Sequence, residues 1–105
     1  MTGPKIKFLL TAEREFIDAV KYYNSQSAGL GFEFAAEVKY SLNRIIQYPL
    51  AWHKLSERTH RCRTNRFPYG VIYQPRKDYI LIIAIMHLHR SPDTWQAIIN
   101  NLHKK

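Results

Sequence analysis

The hydrophobic residues of this chain change their spacing at Pro49, and no other feature constrains the fold as strongly. Before Pro49, apolar residues recur every three or four positions, which is the pattern of helices that pack on one face. After Pro49 they alternate, or form an almost unbroken run over residues 79–88, which is typical of strands in a sheet. Because helices and strands occupy separate parts of the chain, the sequence predicts an α+β fold.

The part before Pro49 predicts a short strand followed by a helical hairpin. Residues 5–10 are a strand-like apolar run, and Thr11 is the expected cap of the first helix. Residues 24–31 have turn composition, and Pro49 should end the second helix by forbidding helical geometry at Tyr48. The predicted buried faces are Ala12, Phe16, Ala19, Val20 and Tyr23 in the first helix and Phe34, Ala35, Val38, Leu42, Ile45 and Ile46 in the second. The predicted water-facing residues of the second helix include Glu33, Glu37 and Arg44.

The part after Pro49 predicts three strands and a last helix. The strands are expected at residues 60–66, 69–74 and 79–88, close enough in sequence to form an antiparallel meander. Ser91 and Pro92 are well placed to start the helix, whose apolar stripe is Trp95, Ile98, Ile99 and Leu102. The predicted order is β-α-α-β-β-β-α, with the hairpin on one face of an antiparallel sheet and a single domain over residues 1–105.

The net charge of +8 is concentrated in the later part of the chain. Residues 1–37 contain four basic and five acidic residues, whereas residues 38–105 contain twelve basic and three acidic residues. This asymmetry indicates a polyanionic partner, either nucleic acid, the ribosome or an acidic protein segment. The alternative is a basic surface that serves only solubility.

The single cysteine and the absence of long apolar runs indicate where in the cell the protein is located. Cys62 has no possible intramolecular disulfide partner, which favours a reducing cytoplasm, and it is expected to be a small buried residue. No apolar run approaches the roughly 20 residues of a membrane-spanning helix, and we expect no secretion signal and no membrane association.

Arginines at alternate positions of the predicted strand 60–66 form a candidate binding surface. Alternation directs Arg61 and Arg63 to one face and Cys62 and Thr64 to the other. The planar guanidinium suits phosphates and carboxylates, because it donates two parallel hydrogen bonds. Lys54 and Arg58 would enlarge this surface, although an edge strand made soluble by charge is an alternative.

His87 and His89 share a face by the same alternation, and three interpretations remain open. An H-x-H pair can bind zinc, but a third ligand is needed and none is evident, so no metal is expected. A histidine that titrates near neutrality can serve as general acid or base in RNA cleavage. Hydrogen-bonded structural histidines are the third interpretation.

Four segments together resemble the RelE/ParE superfamily of small toxins from bacterial type II toxin–antitoxin systems. They are "EFIDAVKYYNSQSAGLGFEFAAEV", "IIQYPLAW", "RCRTNRFPYGVIY" and "IIAIMHLHRSPDTW", in this order along nearly the whole chain. The resemblance is greatest to the ParE-like, plasmid stabilisation branch. It implies a bacterial, cytoplasmic toxin without a cofactor, whose partner is an antitoxin with an acidic or amphipathic C-terminal segment.

The superfamily implies two different modes of poisoning. RelE-like members cut mRNA on the ribosome without a metal, which here would assign Arg61 and Arg63 to the phosphate and His89 to acid–base catalysis. ParE-like members inhibit DNA gyrase. Nuclease-type relatives often carry a basic residue where this chain has Gly70, so the resemblance favours gyrase, and a non-toxic nucleic-acid-binding module is a further alternative. The residues expected to bind the target or the antitoxin are Lys54, Arg58, Arg61, Arg63, Arg66, His87, Arg90 and Trp95.

Overall fold

A five-stranded sheet with helices on both faces forms the part of the chain that the computed structural model describes, residues 4–89 and 93–103. The α+β class is confirmed, and the main elements follow in the predicted order. The elements are β1 (Lys5–Phe8), α1 (Leu10–Gln26), α2 (Leu30–Gln47), β2 (His53–Lys54), β3 (His60–Arg63), β4 (Tyr69–Pro75), β5 (Tyr79–His87) and α3 (Asp93–His103).

The sheet has the strand order β1-β5-β4-β3-β2 and is mixed. The strands β3, β4 and β5 form the predicted antiparallel meander. The sheet is not wholly antiparallel, because β1 pairs parallel with β5 and covers its second edge. The residues between the two ends of β5 are all buried, as its apolar sequence predicts for a central strand.

Each face of the sheet has its own hydrophobic cluster. The hairpin of α1 and α2 packs on one face, called here the hairpin face, and the predicted stripes of both helices, except Ala35, lie in that cluster. The other face, called the α3 face, is contacted by Trp95 and Ile99. A bulge in β5 places Ile83 and Ala84 together on the α3 face, since Ile72 pairs with Ala84 and Tyr73 pairs with Ile82.

The predicted start of the first helix is wrong. Thr11 does not cap it, because α1 begins at Leu10 and Leu9 occupies the capping position without a side-chain hydrogen bond. The backbone N–H of Leu9 still donates to the carbonyl of Ile82, 3.0 Å away. The chain therefore enters the helix directly from its pairing with β5.

The hairpin turn is shorter than the predicted residues 24–31. Only residues 27–29 connect α1 to α2. Gly29 has a φ of 84°, a backbone conformation that favours glycine. The side-chain oxygen of Asn24 accepts the backbone N–H of Gly31 at 2.7 Å. Asn24 therefore belongs to α1 and holds the start of α2 against it. The second helix ends at Gln47, with Tyr48 as its cap, as Pro49 predicts.

The predicted strand 60–66 is also too long, because β3 ends at Arg63. The hydroxyl of Thr64 donates to the carbonyl of Phe67 at 2.6 Å, which turns the chain before β4. The two-residue strand β2 has no counterpart in the sequence-based prediction. Ser91 and Pro92, the predicted start of the last helix, lie outside the described residues.

Candidate functional site

The pairing of β3 with β4 fixes the direction of the two strand arginines. Arg61 pairs with Ile72 and Arg63 pairs with Gly70, so both arginines lie on the α3 face. The intervening Cys62 is buried in the hairpin-face cluster. The predicted alternation of the strand is therefore confirmed.

Gly70 gives the side chain of Arg61 its place on the α3 face. A Cβ atom at position 70 would lie 2.9 Å from both Cγ and Cδ of Arg61. The arginine stem therefore lies across β4 where no side chain is present. Gly70 thus has a packing role.

Arg61 lies at the edge of a cavity of about 260 Å³ between the sheet and α3. The lining residues are Leu55, Arg61, Ile72, Met86, His87, Leu88 and Trp95. Trp95, a predicted binding residue, is only 7% exposed and forms part of this lining. The Nε atom of Arg61 is buried and has no hydrogen-bond partner among the described residues.

The two histidines lie next to each other at the end of β5. His87 pairs with Tyr69 of the hairpin-face cluster, and their rings are 5.3 Å apart. The His87 and His89 rings are 5.2 Å apart, and the backbone N–H of His89 donates to Nδ1 of His87 at 3.2 Å. The Nδ1 atom of His87 is therefore the acceptor in this contact.

The register brings the two histidines together, and His87 both packs its ring on Tyr69 and lines the cavity beside Arg61. Tyr69 belongs to the hairpin-face cluster, whereas Arg61 and Arg63 lie on the α3 face. Among the described residues, no hydrogen bond or ring contact joins His89 to either arginine. The candidate acid–base group His89 therefore has no direct contact with the arginines that would bind the phosphate, although its neighbour His87 lines the same cavity as Arg61.

Arg66 forms an ion pair and a backbone hydrogen bond with acidic residues of α2. Its Nη1 lies 2.8 Å from Oε1 of Glu33, in an ion pair exposed to solvent. Oε1 of Glu37 accepts the backbone N–H groups of Asn65 and Arg66, each at 2.9 Å. The prediction that Glu33 and Glu37 only face water is incomplete, because they hold the turn after β3.

Arg44 is a structural residue that sequence reasoning missed. Its Nη2 donates to the hydroxyl of Ser41 at 2.9 Å and to the carbonyl of Arg63 at 3.0 Å. Its guanidinium lies over the Trp52 ring, 5.5 Å from the centroid. Arg44 thus ties the end of α2 to the end of β3. A basic residue in a last helical turn is a weak signal, and the chain pattern does not reveal such distant partners.

The remaining basic residues extend the surface along the β2 edge. Lys54 is exposed on β2, and Arg58 is exposed in the loop between β2 and β3, beside Gln74 and Ile99. Arg90 lies outside the described residues.

No group of three or more potential metal-ligating side chains that could hold an ion occurs in residues 4–89 and 93–103. Burial raises the pKa of the Cys62 thiol, although the Arg44 guanidinium acts in the opposite sense, so Cys62 is not an activated nucleophile.

The outer surface of the hairpin carries exposed apolar side chains that the sequence pattern does not single out. On α2, Phe32 and Tyr40 are 70% and 64% exposed, and they lie eight residues apart on the side opposite to the buried face. Other large exposed apolar residues are Leu10, Ile17, Tyr22, Tyr48 and Leu50. Within the described residues, no helix is long and apolar enough to cross a membrane.

Comparisons with known proteins agree with this architecture. The family model for the ParE toxin of the type II toxin–antitoxin system parDE matches residues 6–92. Among solved structures, a chain of the chromosomal ParDE toxin–antitoxin system from P. aeruginosa superposes with a TM-score of 0.71 at 12% sequence identity. That match covers 82% of this chain and 97% of the other, and at this identity it shows the fold alone. No curated protein matches the sequence.

Proposed function

Because this chain belongs to the ParE toxin family of type II toxin–antitoxin systems, we propose that it poisons DNA gyrase and that a cognate antitoxin neutralises it. One observation favours gyrase over mRNA as the target. His89, the candidate acid–base group, makes no hydrogen bond or ring contact with Arg61 or Arg63 among the described residues, whereas RNA cleavage requires an acid–base group and phosphate-binding cations at a single phosphate.

The basic residues of the β3 and β2 region support a docking role. Arg63, Lys54 and Arg58 are exposed, and no described acidic side chain forms an ion pair with them. Exposed cations that are not neutralised within the molecule accelerate association with an acidic partner surface. On this proposal these residues bind gyrase in the bacterial cytoplasm, and they carry out no chemical step.

The exposed apolar residues of the hairpin support the existence of an antitoxin. Phe32 and Tyr40 lie on one stripe of α2, and such a stripe fits the apolar side of an amphipathic helix. The net charge of +8 fits an acidic segment. We propose that the C-terminal segment of the antitoxin has both properties and that its apolar side covers Phe32 and Tyr40.

The experiment that tests the target is expression without antitoxin, with two measurements on the same cells. One measures gyrase supercoiling, and the other maps ribosome-dependent mRNA ends. We expect impaired supercoiling and intact mRNA. The Arg63→Gln variant should reduce the inhibition of gyrase, whereas Lys77→Gln, which removes the same charge from the exposed turn between β4 and β5, should not.

The alternatives predict different results from this experiment. If the protein is a RelE-like nuclease, mRNA is cut with codon periodicity, and His89→Gln reduces cleavage about 10²-fold or more. That result would overturn the gyrase proposal and make His89, Arg61 and Arg63 catalytic. A non-toxic nucleic-acid-binding module instead predicts normal growth and affinity for bare nucleic acid that falls steeply with salt.

A further inference from the structure

The cavity beside α3 combines one buried cationic atom with apolar walls, and this combination selects a class of ligand. We propose that the cavity receives a carboxylate attached to an apolar group, supplied by the neutralising segment of the antitoxin. This inference rests on the proposed function, because the antitoxin is the partner to which it assigns the ligand.

The buried Nε–H of Arg61 requires an acceptor that the described residues do not provide. A buried donor without a hydrogen bond is destabilising, and a charged donor is more so. A carboxylate can accept from Nε and from one terminal nitrogen of a guanidinium at the same time, in a planar, two-bond arrangement. Arg61 is half-buried, so the cavity is not sealed from solvent and a ligand can reach this edge.

The apolar walls distinguish a carboxylate on an apolar group from a nucleic-acid phosphate. Besides Arg61 and His87, the lining consists of Leu55, Ile72, Met86, Leu88 and Trp95. A nucleic-acid phosphate is hydrated and gains nothing from such walls, whereas an apolar group is stabilised by leaving water. The volume of about 260 Å³ accommodates one side chain of aromatic or branched aliphatic size.

The charge of the molecule identifies the source of the ligand. The net charge of +8 attracts acidic partners, and among these the apolar walls of the cavity favour an acidic protein segment. Such a segment presents a carboxylate beside an apolar side chain wherever an acidic and an apolar residue are neighbours. The Arg61 cavity is therefore assigned to the antitoxin, and the exposed Arg63 and Arg58 remain available to the target.

The test uses 3-phenylpropionate as a probe and its neutral analogue 3-phenylpropanamide as the control ligand. Binding to the intact protein is followed by NMR, through the Nε–H resonance of Arg61 and the indole N–H resonance of Trp95. We expect both resonances to shift in a saturable way with the acid, and the amide to bind about ten-fold more weakly or worse. Equal affinity for acid and amide, or no shift of the Arg61 resonance, would overturn the inference.

Two variants of β3 test whether the preference for the acid over the amide arises at Arg61. Arg61→Gln should abolish the preference for the acid, whereas Arg63→Gln, which removes the same charge two residues away, should retain it. The comparison of acid with amide on the unaltered protein decides the question even if Arg61→Gln does not fold. A preference for the acid that is lost in Arg63→Gln but kept in Arg61→Gln would contradict the assignment to the cavity.

A competition experiment separates this inference from the proposed function. The antitoxin candidate is the small protein encoded by the neighbouring reading frame. Its addition should displace the probe, so that the positions of the Arg61 and Trp95 resonances no longer depend on the probe concentration. An antitoxin that binds without displacing the probe overturns the inference and leaves the proposed neutralisation intact. A neighbouring protein that does not bind at all removes the antitoxin from the proposed function, while the acid-to-amide comparison still decides whether the cavity binds carboxylates.

Discussion

Gly31 and Gly70 both leave space that another residue occupies. An added methyl group would meet a backbone atom at Gly31 but side-chain atoms at Gly70. A Cβ at position 31 would lie 2.2 Å from the backbone oxygen of Val20, which belongs to the facing helix. At position 70 the nearest atoms are Cγ and Cδ of the Arg61 side chain, both at 2.9 Å, and no backbone atom is as close. The close crossing of α1 and α2 therefore depends on Gly31, whereas Gly70 determines only where Arg61 lies.

This difference predicts opposite results for two equivalent substitutions. We expect Gly31→Ala to lower the free energy of unfolding by about 3 kcal/mol, because the helices must separate. Gly70→Ala should change it by less than about 1 kcal/mol, since alanine suits a strand better than glycine and only a flexible side chain moves. Urea denaturation of both variants measures these effects, and a Gly70→Ala variant as unstable as Gly31→Ala would show that Arg61 cannot move.

At the scale of elements, sequence periodicity predicted which helices and strands exist and which faces they bury. The stripes of α1 and α2 and the buried run of β5 follow from local spacing, because each element buries one continuous surface. The element ends were predicted less well. Thr11 is a residue type that often caps helices, but the backbone pairing with β5 continues to Leu9, so the helix starts earlier. Arg66 continues the alternating pattern of β3, but Glu33 and Glu37 hold it in a turn.

The candidate site was predicted only in part, for a related reason. The alternation of β3 placed Arg61 and Arg63 on one face correctly, because it is a local property of an extended strand. The contact of the His87 ring with Tyr69 depends on the register between β4 and β5, which no local pattern fixes. The partners of Arg44 other than Ser41 likewise come from chain segments 8 to 21 residues away, which no local pattern encodes.

Tyr73 connects β4 to the turn that follows α2, and this connection predicts a dependence of stability on pH. Its phenol O–H donates to the carbonyl of Pro49 at 2.6 Å, and burial raises the pKa of the phenol above its ordinary value of 10.0. Above about pH 10 the unfolded chain loses this proton while the folded protein keeps it. The free energy of unfolding should therefore fall as the pH rises above 10, by up to about 1.4 kcal/mol per pH unit from this residue.

Tyr73→Phe should reduce this alkaline loss and lower stability at neutral pH by about 1 kcal/mol, because the Pro49 carbonyl loses its donor. The solvent-exposed Tyr40→Phe is the matched control and should retain the full alkaline loss. Urea denaturation between pH 7 and pH 11 measures both. Part of the loss will persist in Tyr73→Phe, since burial also raises the pKa of Cys62. An alkaline slope identical in the two variants would contradict the role of Tyr73.

At the scale of the whole molecule, the exposed apolar residues and the unpaired cations lie on different surfaces. Phe32 and Tyr40 lie on the outer side of the hairpin, whereas Arg63 and Arg58 lie at the α3 face and the edge beside it. Apolar burial depends little on salt at moderate concentrations, but attraction between exposed charges is screened beyond about 8 Å at physiological ionic strength. The two surfaces should therefore be distinguishable by the salt dependence of binding.

We expect the double substitution Phe32→Ser and Tyr40→Ser to weaken antitoxin binding at least ten-fold and by the same factor at low and high salt, because each buried aromatic side chain is worth roughly 1.5–3 kcal/mol. Arg58→Gln with Arg63→Gln should instead weaken binding to gyrase mainly at low salt. Calorimetric titrations at two salt concentrations measure both, with Lys77→Gln as the control for loss of charge. If the serine variant bound the antitoxin normally but inhibited gyrase poorly, the hairpin would be the surface for the target, and the assignment of the two surfaces would be reversed.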